Sequence, residues 1–319
     1  MPTIRRPRKG SLQFWRRKRA TRMYARVRSW FVSKDVKPSA FAGYKVGMTH
    51  IMAVNENKNS HLKGELMSVP VTILECPPMR FASARFYQKE NAATVLIKEI
   101  FFKTEKELLR KTTTGKENKA DLDSINPDLY DNITVTVYTQ PKKAGFGKKK
   151  PEIFEIALGG TNTEKVTYLK ENADKEFAFD SVFGPNNFVD VHGITKGKGF
   201  QGPMKRFGIG RRSHKSEKSI RNPGSLGPWV RQQHISWKVP HAGQTGYHQR
   251  VEYNKQVLEI SNEVEKYGVD FHKYGNIKST FILIHGSVAG PKKRLLIMTK
   301  PKRAKSTKHK LAIQWNSKY

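Results

Sequence analysis

Residues 188–195 read FVDVHGIT, and residues 196–250 continue as KGKGFQGPMKRFGIGRRSHKSEKSIRNPGSLGPWVRQQHISWKVPHAGQTGYHQR. The first segment reads as a β-strand. The second does not read as any regular element. Between Lys196 and Lys255 there are thirteen Lys and Arg against two acids, Glu217 and Glu252. Glycine recurs at 197, 199, 202, 208, 210, 224, 227, 243 and 246, and the large apolar residues follow no helical or strand period. Ordering such a stretch costs roughly 1–2 kcal/mol per residue, with little apolar area to offset it, so it is expected to bury no core of its own. Phe200, Phe207, Trp229, Trp237 and Tyr247 set it apart from a linker. A loop that is basic, glycine-rich and aromatic calls for a polyanion that also offers stackable bases.

The charge of the whole chain points the same way. Its 319 residues are 37% hydrophobic, enough for a sizeable core, yet carry a formal net charge of +33. Self-repulsion of that size favours a counter-charged partner. The excess is also partitioned. Residues 98–180 hold fifteen basic and fifteen acidic side chains, and no acid follows Asp270. Cys76 is the single cysteine, which excludes a disulfide framework and a cysteine-based zinc site; it is expected to pack in a strand at 71–76. No apolar run reaches the ~18 residues of a membrane span, and the charged N-terminus lacks the apolar segment of a signal peptide.

Working outward, residues 1–38 form an arm with thirteen basic residues against Asp35, interleaved with Phe14, Trp15, Tyr24, Trp30 and Phe31. A solvated tail would not carry those aromatics; stacking on unpaired bases suits them. Strands are expected at 43–54, 70–78 and 94–100 as the opening of an all-β unit, then at 133–139 and 151–158 within the neutral insertion. The Thr161–Glu164 spacing is that of a capping box and predicts a helix over 163–175. KKAGFGKKK at 142–150 reads as a hairpin-like loop, with an exposed solvated turn as the equal alternative. Strands resume at 257–260, 280–285 and 294–299, and GSVAGPKK makes the last two a hairpin. Residues 300–319 read as a second basic tail, containing Trp315. Strands before and after the loop thus close one barrel around two insertions.

Catalytic and cofactor chemistry find little support. Gly197-x-Gly199-x-x-Gly202 follows a strand as a dinucleotide fingerprint does, but Pro203 and further glycines follow, and no helix is expected there. His241 and His248 have no carboxylate or cysteine at ligand spacing, and no nucleophile with a partner base is recognisable. The expectation is no enzyme, no metal, no cofactor and no small-molecule substrate. Two rivals of other classes are an enzyme acting on RNA and a DNA-architectural protein.

FAGYKVGMTH (41–50), PVTILECPPMR (70–80), VHGITKGKGFQGPMKRFG (191–208), SLGPW (225–229), HAGQTGYHQRVEYNK (241–255) and HGSVAGPKKRL (285–295) closely resemble the universal L-three family of large-subunit ribosomal proteins, in its archaeal form. The resemblance implies a mainly β protein with an α+β insertion. Its body would be a six-stranded closed β-barrel like the second domain of elongation factors, with long basic extensions entering the rRNA. It also implies early binding in subunit assembly, a cytoplasmic place in the ribosome, and neighbours of the L-fourteen and L-twenty-four-e types. Trp229 corresponds to the loop-tip tryptophan that approaches the peptidyl-transferase region. His214 falls near the loop histidine of eukaryotic relatives, at a different spacing from Trp229.

The expected organisation is a basic arm at 1–40, barrel strands at 41–97, a neutral insertion at 98–180, a barrel strand at 181–191, the penetrating loop at 192–250, closing strands at 251–299 and the tail at 300–319. Candidate RNA contacts in the arm are Arg5, Arg6, Arg8, Lys9, Trp15, Arg16, Arg17, Arg19 and Arg22. Those in the loop are Lys196, Lys198, Lys205, Arg206, Arg211, Arg212, His214, Lys215, Arg221, Trp229, Arg231, Trp237, His241, Gln244, Tyr247, His248 and Arg250. Both limbs are expected to take their shape only when threaded through folded RNA.

Overall fold

The computed structural model describes residues 9–31, 33–91, 93–102, 105–113, 122–227, 235–263, 270–304 and 311–316. The chain divides into two compact units, one of Met23–Gly193 with Arg250–Tyr319, the other of Met1–Arg22 with Ile194–Gln249. The protein is mainly β. Its strands are β1 (Ala40–Asn55), β2 (Leu66–Glu75), β3 (Met79–Glu90), β4 (Ala93–Phe101), β5 (Asn132–Thr139), β6 (Ile153–Ala157), β7 (Glu176–Phe177), β8 (Phe188–Ile194), β9 (Gly197–Gln201), β10 (Gly243–Gly246), β11 (Gln249–Ser261), β12 (Phe281–His285), β13 (Leu295–Thr299) and β14 (Leu311–Asn316). Short helices lie at α1 (Lys106–Leu109), α2 (Asn162–Asn172) and α3 (Pro203–Phe207).

One sheet has the order β13-β8-β11-β12-β2-β1-β14, and β13 pairs with β1 as well as with β8. Ala40 to Tyr44 of β1 lie opposite Thr299 to Leu295, and Tyr44 to Val54 lie opposite Glu75 to Leu66 of β2. The first eight residues of β1 are all buried, because the strand is covered on both faces. A second sheet of the larger unit runs β4-β3-β5-β6, with β7 added on β3. Many of its apolar residues, among them Phe81, Phe86, Val135 and Val137, join those of the first sheet in one cluster. Phe177 stacks on Phe81 at 4.7 Å and meets Phe41 edge-on at 5.7 Å, so a residue of each sheet shares the same ring. Burying such side chains supplies about 1.5–3 kcal/mol each.

Three expectations are corrected by the pairings and one by burial. The strand expected at 94–100, grouped with the barrel segment 41–97, pairs with β3, itself part of that segment, in the second sheet. Pro77 and Pro78 explain why: neither offers an N–H to a ladder, so the chain leaves the first sheet after Glu75. The proposed hairpin of 280–285 with 294–299 does not form. β12 pairs with β11 and β2, whereas β13 pairs with β8 and β1. The connection is long enough to cross over, and it is held down by Lys45, whose Nζ donates to the Val288 carbonyl at 2.6 Å. The arm does not extend to residue 38 or 40: Tyr24 and Ala25 are buried, and the Tyr24 hydroxyl donates to the Ile153 carbonyl at 2.6 Å. The tail contributes β14, which pairs with 51–55 of β1.

The capping box at α2 is present in full. Glu164 N donates to Thr161 Oγ1, and Thr161 N donates to Glu164 Oε2 at 2.8 Å, which lowers the Glu164 carboxyl from its ordinary pKa. Residues 142–150 connect the antiparallel β5 and β6, as a hairpin loop should; Ala144 is buried and Gly145, Phe146 and Lys148 are half-buried, while the other five residues are exposed. Gly145 N donates to Glu75 Oε2 at 3.0 Å, and a Cβ at Gly145 would lie 1.6 Å from the Asn276 carbonyl oxygen. Glu75 is fully buried; it also accepts from Tyr274 Oη at 2.5 Å, Lys278 N at 2.7 Å and Ser279 N at 3.0 Å. Four donors are what a buried carboxylate requires. Cys76 is buried as expected, with its thiol pushed up by burial.

Candidate nucleic-acid interface

The smaller unit starts from composition: Met1–Arg22 and Ile194–Gln249 together hold twenty Lys and Arg and one acid, Glu217. Its first local structure is a ribbon. β9 and β10 run antiparallel, with Gln201 opposite Gly243 and Gly197 opposite Gly246. Gly246 has φ 71°, and a Cβ there would lie 2.0 Å from the Lys196 carbonyl oxygen, so only glycine permits this approach. The absence of a helix after Gly202 is corrected. α3 occupies 203–207, opened by Pro203 at its first position and closed by Gly208 at φ 68°. Its five residues and the antiparallel β9–β10 ribbon do not make a dinucleotide-binding βαβ unit.

Phe207, 6% exposed, is where arm and loop meet. Its ring lies 5.7 Å from that of Trp15, and the Arg17 and Arg206 guanidiniums stand 4.5 and 5.0 Å from it. A Cβ on Gly10 would come within 2.4 Å of it. Arg17 Nη1 donates to the Arg206 carbonyl at 2.9 Å, and Arg206 donates to the carbonyls of Gln244 (3.1 Å) and His241 (2.9 Å). Burial, then the Arg17 guanidinium nearby, lowers the Arg206 pKa from its ordinary value. Further along, Ala20 N donates to the Tyr247 carbonyl at 2.8 Å, His248 Nδ1 lies 2.7 Å from the Lys18 carbonyl oxygen, and the Arg19 guanidinium stands 5.3 Å from the Tyr247 ring. The expectation that the loop has no packing of its own therefore fails at its base. Cation–π contacts, each worth ~0.5–2 kcal/mol, and charge-assisted bonds to carbonyls replace the missing apolar area. Between 208 and 240 the described residues form neither helix nor strand.

The candidates among the described residues of the smaller unit therefore fall into three groups. Arg17, Arg206, Gln244 and His248 make contacts within the unit, with Gln244 Nε2 donating to the Gly246 carbonyl at 2.9 Å. His241 and Tyr247 are half-buried, and the buried His241 Nε2 has no hydrogen-bond partner among the described residues. Lys9, Arg16, Arg19, Arg22, Lys196, Lys198, Lys205, Arg211, Arg212, His214, Lys215, Arg221 and Trp237 are exposed, and Trp15 is half-buried against Trp237 at 5.5 Å. Arg250 belongs to β11 of the larger unit. Arg5, Arg6, Arg8, Trp229 and Arg231 lie outside the described residues.

A family model described as "Ribosomal protein L3" matches residues 1–318. The chain belongs to the ribosomal protein L3 family. It is thus a ribosomal protein and not an enzyme. Relatives named "Large ribosomal subunit protein uL3" include one from Methanothermobacter thermautotrophicus, 42% identical over 311 residues, covering 93% of this chain and 92% of the relative. Another, from Methanopyrus kandleri, is 43% identical over 303 residues, covering 91% and 84%. A third, from Archaeoglobus fulgidus, is 38% identical over 302 residues, covering 92% and 91%.

Within this family member, the contribution of Phe207, Gly10 and Lys18 was not legible. Phe207 sits between Arg206 and Gly208 with no periodic apolar neighbours, and its partners come from the arm about 190 positions earlier in the chain. The one local signal was Pro203 with Gly208, which frames a single turn of helix. Among the described residues no three His, Cys, Asp or Glu side chains come together as a metal-holding cluster, and no helix is long and apolar enough to cross a membrane.

Proposed function

We propose that the chain is a structural constituent of the large ribosomal subunit that binds its rRNA through the arm-and-loop unit and takes part early in subunit assembly. The observation that carries this reading is the charge of that unit, twenty basic residues against one acid, on a scaffold of glycine turns and exposed aromatics. Exposed lysines and arginines neutralise phosphates, glycines let the backbone pass close to them, and Trp15 and Trp237 stack on bases. The pairing of β13 with both β8 and β1 supports a closed six-stranded barrel of the elongation-factor type as the anchoring body. In this reading the outer loop extends toward the peptidyl-transferase region with Trp229 at its tip. Neighbours of the L-fourteen and L-twenty-four-e types would pack on the body.

The test is equilibrium binding of the full chain to a large-subunit rRNA fragment across a salt series, with duplex DNA as competitor. Affinity should fall steeply with salt, and irregular RNA should outcompete the duplex. A flat salt response, or preference for duplex DNA, would remove the phosphate-neutralisation mechanism.

A further inference from the structure

We propose that a cleft beside Trp237 is a subsite for one unpaired nucleotide of RNA, an inference that rests on the rRNA-binding reading above. The cleft is open to solvent, measures about 510 Å³ and is lined by Leu12, Trp15, Arg16, Lys18 and Trp237. That volume lies within the ~300–1,000 Å³ of ordinary ligand clefts. The Trp15 and Trp237 rings lie 5.5 Å apart at 59°, so they form a wedge rather than a closed stack. Trp15 is fixed from behind by buried Phe207, whereas Trp237 is 52% exposed. A half-exposed indole at the mouth of a cleft offers a π-face of the kind a base covers.

The charge around the wedge chooses the ligand. None of the lining residues is acidic, and Arg16 and Lys18 are both exposed, two positions apart along the arm. Lys238 Nζ adds a third cation, 5.6 Å from the Trp237 ring. An apolar floor at Leu12, an aromatic wedge and flanking cations suit a base with a phosphate on either side. The base must be unpaired, because a duplex keeps its base faces stacked on their own neighbours. Its identity is unspecified, since every base has a π-face and no side-chain amide or carboxylate lines the cleft to read an edge. The subsite also needs arm and loop together: Leu12, Trp15, Arg16 and Lys18 come from one and Trp237 from the other.

The experiment uses the full-length chain labelled with 5-fluorotryptophan, with the Trp237 and Trp15 resonances assigned from Trp237→Phe and Trp15→Phe. The probes are a short single-stranded oligouridylate and the same oligomer carrying abasic sites. The expected result is that the Trp237 resonance moves with the base-bearing RNA and not with the abasic one. Trp237→Ala should weaken oligouridylate binding about tenfold, the effect of one base–aromatic stack, with the salt slope unchanged. Trp237→Phe should recover most of that loss, and circular dichroism and limited proteolysis of the arm matching those of the unsubstituted chain would show that the variant is folded. If the abasic RNA moves Trp237 equally, or if RNA binds with its usual salt dependence while Trp237 stays still, the subsite is overturned and the rRNA-binding reading survives. If no salt-dependent RNA binding occurs at all, both fall.

Discussion

The two units of this chain settle their charges in opposite ways. In the larger unit, several cations find carboxylates of the same unit. Arg85 pairs with Glu99 at 2.9 Å, and Glu176, against the upward push of its own burial, is held down at about 2 by Lys143 at 2.6 Å, the Gln140 amide at 3.0 Å and Arg80 at 2.9 Å. Glu75, fully buried, is saturated by four donors. In the smaller unit, Arg17 and Arg206 turn to backbone carbonyls and to the Phe207 ring. The first arrangement joins charges of both signs within the larger unit, although that unit still carries forty Lys and Arg against twenty-six Asp and Glu. The second organises a base but leaves most of its charge facing outward, which is what a unit made to meet a polyanion needs.

The largest expected effect comes from separating the two. Removing residues 196–245 should leave the sheets of the larger unit folded, by near-ultraviolet circular dichroism and thermal melting, while rRNA affinity falls by about two orders of magnitude or more. Should the shortened chain unfold, the loop would be part of the body's stability and the contrast would collapse. Next in size is Glu75→Ala, which orphans donors on 145, 274, 278 and 279. Urea unfolding should show a loss of about 4 kcal/mol, at ~1–3 kcal/mol per stranded group with partial relaxation, and rRNA affinity of the folded fraction should be unchanged.

Phe207→Ala should do the reverse. Core Phe→Ala changes cost about 3–5 kcal/mol, but here the loss is confined to the smaller unit, so the arm should become sensitive to limited proteolysis while the main melting transition stays put. Equal loss in both measurements would show that the units are coupled. A smaller effect is expected from pH. His192 in β8 is held at about 4 by burial, below an ordinary value near 6.5, with Nε2 3.2 Å from Thr299 Oγ1. Because the unfolded chain takes up this proton first, stability should fall as pH drops from about 6.5 to about 4, and His192→Gln should flatten that window. Glu176 contributes in a separate window: its stabilisation is present above about 4.5 and lost as pH falls toward 2. Finest of all, Lys198→Gln should lower the salt slope of rRNA binding by about 0.7–0.9 and change nothing else, if its exposed ammonium meets one phosphate.

Local signals were legible where the physics is local. The Thr161–Glu164 box needs only neighbouring backbone amides, and it predicted α2 to within a few residues. ITVTVYT carries its own alternation and is β5. The strand signals at 280–285 and 294–299 were equally clear, yet the partners assigned to them were wrong, because a turn composition cannot decide whether a connection reverses or crosses. LAIQWN at 311–316 was hidden in a basic tail, and its pairing with β1 depends on a partner some 260 positions away. The aromatics of the arm and loop were recognised as a group, but not the use of Phe207 as the ring on which Arg17 and Arg206 rest.

By itself, the sequence determined composition-level and short-range matters: a β-rich body, a neutral segment, two basic stretches with glycines and aromatics, and the family. Only the tertiary structure decided which strands are neighbours, that arm and loop base form one unit, and which arginines are held inside it. Register and long-range contacts are set by burial summed over residues far apart in the chain, and no window of sequence contains that sum.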